Sequence, residues 1–296
     1  MATAMNAQSM DVQRLSGSLG AEIRGVSLAQ AGPAEADALR SLLTEHLVLF
    51  FPEQHLEQQE HLAFGRLFGK LEGHPNVAGS SQVQEIFELR ASVGAIADEW
   101  HSDLTCQPQP SVMAILNMVK CPRVGGDTLW ANMYKAYDEL SAPLQELCQG
   151  LTALHDAHPH GRPENMAVHP VVRVHPETGR KSLFVNEHFT RRIVELSHGE
   201  SEMLLRHLTR WASNPRFTVR YHWHEGTMAM WDNRCTQHFV MDDFDEERII
   251  QRVTIMGDEP EAAQPARWDP YVKSGAPGAG GRHDRQLKAY LAKQAE

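Results

Sequence analysis

The sequence predicts a mainly β domain with flanking helices (α+β), arranged as a double-stranded β-helix. Two observations carry this expectation. Many short apolar or alternating runs are bounded by Gly, Pro, Asn and Asp, as half-buried strands are. Only a few segments keep a helical period, so that many short strands are accompanied by two or three helices on one side.

The elements follow in order. Pro33 to His46 reads as an amphipathic helix, with proline in its first turn and Leu39, Leu42 and Leu43 on one face. Leu47 to Phe51 is a buried strand ended by Pro52, and Glu57 to Phe68 is a second helix stopped by Gly69. Strands are expected at Ile86–Leu89, Val112–Met118, Asp127–Ala131, Val171–His175, Leu183–Asn186, Arg216–Trp223, Thr227–Asp232 and Ile249–Met256. Helices at Met133–Leu140 and Glu200–Ala212 interrupt them. The composition changes near Asp258, where Pro, Ala and Gly become frequent. We therefore expect one domain over residues 10–258 and an extended tail over 259–296, with a short helix from Asp284 to Lys293.

Composition narrows the class. An apolar fraction of 42% suffices for a large core. The net charge of −10, with no basic block, argues against nucleic acid or an anionic membrane surface as partner. The longest strongly apolar run, Leu47 to Phe51, is far too short to span a bilayer. The start of the chain shows neither a basic nor an apolar targeting region. Cys106, Cys121, Cys148 and Cys235 form no C-x-x-C spacing and read as free thiols, so a cytoplasmic location is expected.

Two segments carry the chemistry. Residues 99–103 read Glu-Trp-His-Ser-Asp, and residues 231–238 read Trp-Asp-Asn-Arg-Cys-Thr-Gln-His. Together they supply His101, Asp103 and His238, the two-histidine, one-carboxylate ligand set that suits a non-haem Fe(II) oxygenase. His101 and Asp103 are two apart, so a strand would present both on one face. A lone His-x-Asp triplet means little in a chain with 17 histidines; its pairing with the second segment, and with Arg248 and Arg252 behind it, gives it weight. Two His-x-His pairs compete. His158/His160 sits in a loop composition and reads as solvated, while His222/His224 lies in an alternating run whose histidines would face one side of a strand. A co-substrate dicarboxylate needs a fixed cation, best a bidentate guanidinium. Arg248 and Arg252 are four apart, so both can look into a barrel from one strand.

At these residues the chain resembles the taurine dioxygenase and 2,4-dichlorophenoxyacetate dioxygenase family of Fe(II)/2-oxoglutarate oxygenases, across residues 10–260. The likeness runs through Leu19-Gly20-Ala21-Glu22-Ile23, Leu49-Phe50-Phe51-Pro52 and Phe64-Gly65-Arg66-Leu67-Phe68-Gly69. It continues through Gly125-Gly126-Asp127-Thr128-Leu129-Trp130, His169-Pro170-Val171-Val172, His175-Pro176-Glu177-Thr178-Gly179 and Trp231-Asp232-Asn233-Arg234. The resemblance implies a jelly-roll barrel, Fe(II) on His101, Asp103 and His238, O₂ as oxidant, and 2-oxoglutarate held by Arg248 with Thr128. It also implies that Arg252 and His74 approach a substrate anion, and that family members are often dimers or tetramers. Arg234 is expected to brace the fold.

Departures from the taurine pattern bear on the substrate. Val77 stands where a tyrosine is expected, Ala97 where an asparagine is, and Ala157 where an aromatic is. Each change removes a polar contact or bulk, so the pocket should be larger and more apolar than one for taurine, with Met166 as a further apolar neighbour. The expected substrate is a bulky sulfonate, alkyl sulfate or phenoxyalkanoate, hydroxylated beside its heteroatom so that the product fragments. The alternatives are a hydroxylase or desaturase of a natural-product acid and, outside the family, a zinc hydrolase, which would need neither Thr128 nor Arg248.

Overall fold

The computed structural model describes residues 10–73, 81, 83–92, 97–272 and 282–294. The chain opens with the antiparallel pair β1 (Asp11–Arg14) and β2 (Ala21–Arg24). Helix α1 (Pro33–His46) has the predicted bounds. Pro33 presets the first turn, and Glu35 accepts a hydrogen bond from the Gly32 amide. Leu47, at φ 67°, then turns the chain sharply into β3 (Val48–Phe51). Helix α2 (Gln58–Arg66) leads to β4 (Leu71–Glu72), β5 (Phe87–Ala91), β6 (Ser111–Lys120) and β7 (Thr128–Asn132). Next come α3 (Met133–Asp138), α4 (Ala142–Gln149), β8 (Thr152–Ala157), β9 (Arg162–Pro170) and β10 (Val172–Val174). They are followed by β11 (Lys181–Leu183), β12 (Thr190–Ile193), α5 (His198–Ala212), β13 (Thr218–Tyr221) and β14 (Met228–Asp232). The chain closes with β15 (Thr236–Val240), β16 (Arg248–Met256), β17 (Glu261–Ala262) and α6 (Arg282–Gln294).

The main sheet runs β1-β2-β3-β14-β6-β16-β4, with β5 also on β16. Its central strands are buried on both faces, and their side chains divide by the period of two. Leu49, Phe51, Met228, Met230, Ile115 and Val253 pack against Leu39 and Leu43 of α1 and Leu62 and Phe64 of α2. The alternate residues, among them Val48, Phe50, Trp231, Leu116 and Ile250, face Trp130, Val219 and Tyr221 of the small sheet β13-β7-β15. Phe50 stacks on Tyr221 with ring centroids 3.8 Å apart. The main sheet is thus covered by helices on one side and by a second sheet on the other, and a cavity lies between the sheets. The protein is therefore mostly β with several helices, as expected.

Several elements depart from expectation. Strands β1, β2, β4, β8, β9, β12, β15 and β17 and helix α4 lie where no element was predicted, and the strand expected at Leu183–Asn186 is instead β11 over Lys181–Leu183. The run 152–170 mixes His, Pro and Gly with apolar residues, so its pairing in the sheet β12-β8-β9 is set by tertiary neighbours, not by local pattern. The tail also differs from an extended segment. Among the described residues beyond 258, β17 pairs with β10, and the Tyr271 amide donates to the Val194 carbonyl at 2.9 Å. Helix α6 buries Leu287 against Leu154 and Val194. Finally, β13 ends at Tyr221, so His222 and His224 lie outside the strand.

Candidate metal centre and cavity

His101 and His238 form an isolated antiparallel bridge. The His101 amide donates to the His238 carbonyl at 3.0 Å and the His238 amide to the His101 carbonyl at 2.7 Å. This exchange fixes both backbones, and the two rings lie 4.1 Å apart. Asp103 is not on a strand with His101: it opens the turn that follows, in which Leu104 takes φ 59°. The turn still brings its carboxylate to the histidines. The ligand atoms of His101, Asp103 and His238 all lie within 4.8 Å of one another, and all three residues are buried.

The Trp-Asp-Asn-Arg motif explains how the carboxylate is aimed. Asn233 donates from Nδ2 to Asp103 Oδ2 at 3.2 Å and accepts from the Asp103 amide at 3.3 Å. Trp231 Nε1 in turn donates to Asn233 Oδ1 at 3.0 Å. Asp232 and Arg234 face away from the site. Arg234 donates from Nη2 to Asp232 at 2.6 Å and from Nη1 to Glu177 at 2.7 Å, and His175 Nε2 lies 3.0 Å from the same Asp232 carboxylate. The expected bracing role of Arg234 matches this geometry.

Arg252 Nη1 donates to Asp103 Oδ1 at 2.6 Å. Burial raises the Asp103 carboxyl, but Arg252, His238, His101 and the Asn233 amide outweigh it and hold the group well below the usual carboxylate range. Burial, with the neighbouring His238, pushes His101 far below the usual histidine value, and burial brings His238 to about 4. Both rings are therefore neutral at pH 7, the form that ligates a metal. His101 Nδ1 lies 2.7 Å from the Glu99 carbonyl, so this nitrogen carries the proton and Nε2 keeps the free lone pair. A buried set of two neutral imidazoles and one carboxylate, with no thiolate, fits a divalent first-row ion of intermediate softness.

A cavity of about 330 Å³ opens beside these residues between the two sheets. Arg248 and Arg252, both on β16, line it together with Thr128 of β7, and Ile250 between the arginines faces the same way. Arg248 is only 5% exposed, and burial lowers its guanidinium to about 10. Among the described residues its Nε has no partner, and no carboxylate lies beside it. Thr128 Oγ1 accepts from Trp223 Nε1 at 2.9 Å, which leaves its own hydroxyl proton free to point into the cavity. The Gly125-Gly126 turn makes room for this corner: Gly125 has φ +81°, and a Cβ there would lie 2.2 Å from the Asp243 carbonyl.

The remaining expected site residues divide. Ala97 lines the cavity. Ala157 does not: it is fully buried behind Phe189 and Cys106, so it shapes the wall from behind. Met166 packs beside Leu154 and lines a different, open cavity. His74 and Val77 lie outside the described residues. The His-x-His pairs also resolve differently from expectation. His160 lines the cavity, with Nε2 3.3 Å from His188 Nε2, whereas His222 Nδ1 lies 2.7 Å from Asp127. His188 and Phe189 line the cavity too, and sequence reasoning missed both. Their Asn-Glu-His-Phe-Thr context carries no local signal, and only the fold brings His188 within 5.4 Å of His101.

A profile of the family described as taurine catabolism dioxygenase TauD, TfdA family matches residues 11–254. The chain belongs to this family. It is 37% identical, over 88% of this chain and 94% of the relative, to an alpha-ketoglutarate-dependent sulfate ester dioxygenase of Pseudomonas putida. It is 36% identical to an alkylsulfatase of Acinetobacter baylyi, over 85% of this chain and 86% of the relative. The fold matches the crystal structure of a taurine dioxygenase from Burkholderia xenovorans with a TM-score of 0.79 and 37% identity, covering 86% of this chain and 93% of that one. The chain is accordingly an oxidoreductase of dioxygenase type, and no helix among its described residues is long and apolar enough to cross a membrane.

Proposed function

We propose that the protein is an Fe(II)- and 2-oxoglutarate-dependent dioxygenase that hydroxylates the carbon beside the heteroatom of a bulky organic anion, with an alkyl sulfate as the best-supported substrate. The observation that carries the reading is the buried Arg248 guanidinium, unpaired by any carboxylate among the described residues and facing the same cavity as His101, Asp103 and His238. A buried cation without a counter-charge is expensive unless a ligand supplies one. The distal carboxylate of 2-oxoglutarate is that counter-charge, with Thr128 as a second donor. A zinc hydrolase would have no use for such a corner. Sequence similarity to a sulfate ester dioxygenase and an alkylsulfatase supports the choice of head group.

His101, Asp103 and His238 would hold the iron, with Asn233 and the Glu99 carbonyl keeping the carboxylate and one imidazole in register. Bound there, the metal supplies activation of O₂ coupled to oxidative decarboxylation of 2-oxoglutarate to succinate and CO₂, with one oxygen atom going to the substrate. Arg252 is placed to attract the substrate anion while it stays bonded to Asp103, and His74 is a second candidate for that contact. Phe87, Leu116, Ile250 and Phe189 form apolar walls that exclude water and accept an alkyl or aryl body. For a sulfate ester the hydroxylated product is R–CH(OH)–OSO₃⁻. Its hydroxyl loses the proton, the C–O bond to sulfate breaks with the electron pair leaving on oxygen, and an aldehyde and hydrogen sulfate remain.

The two facing sheets support a double-stranded β-helix as the organising architecture, with residues 10–258 as the dioxygenase domain. The four free cysteines fit a reducing compartment. The test is succinate release in air with Fe(II), ascorbate and 2-oxoglutarate, across sulfonates, alkyl sulfates, phenoxyalkanoates and plain carboxylates of matched length. Selective release with alkyl sulfates, matched by aldehyde, is expected. Uniformly low release that ignores the head group would overturn the substrate reading and favour a biosynthetic acid.

A further inference from the structure

We propose that the C-terminal helix α6 is a positioning element of the substrate cavity, acting through Gln286 on the buried carboxylate of Asp156; the link to catalysis rests on the cavity being the substrate site. Asp156 is fully buried at the end of β8. One of its oxygens, Oδ1, accepts from Arg191 Nε at 2.7 Å and from the His158 amide at 3.1 Å. The other, Oδ2, accepts from Gln286 Nε2 of α6, a residue 130 positions away in sequence.

The two partners of Oδ1, Arg191 and the His158 amide, lead to the cavity wall. His158 opens the turn whose Pro159 and His160 line the cavity. Arg191 also donates from Nη2 to the His188 carbonyl, and the Asp156 amide donates to the Phe189 carbonyl at 2.9 Å. His188 and Phe189 line the same wall, and His188 Nδ1 lies 2.7 Å from Glu99, two residues before His101. A single carboxylate thus ties together from behind the two segments that bound the cavity on this side. The α6 contact completes its coordination.

The helix is docked rather than merely adjacent. Leu287 is 1% exposed against Leu154 and Val194, Tyr290 and Leu291 pack beside it at helical spacing, and Asp284 pairs with the buried Arg192. None of these contacts reaches Arg248, Thr128 or Asp103, which lie on β16, β7 and the turn after His101. Loosening α6 should therefore disturb the wall that meets the substrate and spare the corner that meets 2-oxoglutarate.

The test compares the full-length wild type with Gln286→Ala, the isosteric Gln286→Glu, which removes the donor, and Leu287→Asp, which undocks the helix. Two readouts are taken. Hydrogen exchange should rise at least fivefold at amides of residues 156–161 and 186–191 in each variant, with β6 and β16 unchanged. KM for octyl sulfate should rise at least fivefold and more succinate should form per aldehyde, while KM for 2-oxoglutarate stays within twofold. Unchanged exchange at the wall in Gln286→Ala and Gln286→Glu overturns the proposal. So does a parallel rise in both KM values, which marks general loss of structure. If the wild type turns over no sulfate ester, the substrate reading fails on its own, and the exchange data still decide whether α6 holds the wall.

Discussion

Replacing Arg248 by methionine separates a structural arginine from one kept for a ligand. The side chain is 5% exposed, and among the described residues its Nε is unpartnered and no carboxylate offsets its desolvation. An unsatisfied buried guanidinium stabilises nothing by itself, so the methionine variant should melt no lower than wild type when 2-oxoglutarate is absent. With ligand the order reverses. A charge-assisted bond to a buried carboxylate contributes about 3 kcal/mol, equivalent to roughly a 150-fold rise in KM for 2-oxoglutarate. Saturating co-substrate at a hundred times Kd stabilises the wild type by about 2.7 kcal/mol, a Tm increase of roughly 5 °C for a chain of this size. That increase should vanish in the variant. The assays are thermal melts of the Mn(II)-loaded protein with and without 2-oxoglutarate, and succinate release against co-substrate concentration. A variant that keeps its KM within threefold and its full Tm increase would refute the assignment of this corner.

Three further outcomes are expected. Asn233→Leu removes the amide that aims Asp103, so metal affinity should fall by about 10- to 100-fold while the fold persists, as read by titration with Fe(II) under anaerobic conditions. Arg234→Met strips Asp232, itself 1% exposed, of its main cationic partner and should lower stability in urea by roughly 3–5 kcal/mol. Acid stability provides the third. Burial lowers His61 and His169 to about 4 each from an ordinary value of 6.5. Below about pH 6.5 the unfolded chain binds protons that the folded protein refuses, so stability is present above that pH and is lost as the pH falls towards 4. Each residue accounts for up to roughly 3 kcal/mol at the acidic end. His61→Gln should flatten part of that slope in urea titrations at stepped pH, and an unchanged slope would remove His61 from the account.

Legibility varied with how local the controlling forces were. Helix α1 carries its own start and stop, a proline with a capping glutamate at one end and a left-handed residue at the other, and its predicted bounds hold. Strand β15 was missed although it bears His238, because Thr-Gln-His-Phe-Val has no clean alternation and pairs only because β7 is beside it. His101 and Asp103 were placed on one strand; the chain instead makes a single bridge and then turns, and the two side chains converge all the same. Ala157 was expected to face the substrate, yet it packs behind Phe189, because a small residue at the end of β8 leaves room for that ring. The tail was read as extended with a short helix from Asp284 to Lys293; that helix is present, and what composition did not show is that it docks through Leu287 and Gln286.

By itself the sequence singled out the candidate ligand types, their pairing across the chain and the arginines behind them, because metal and carboxylate chemistry is selective for side-chain identity. It also determined the mainly β architecture, because alternation with a period of two is a local property of each strand. Tertiary structure decided which of the two arginines is unpaired and which binds Asp103, a question of distance rather than residue type. It also decided that His160 and His188 reach the cavity while Ala157 does not. Such contacts join segments dozens to more than a hundred residues apart, and only the packing of two sheets and a returning C-terminal helix brings them together.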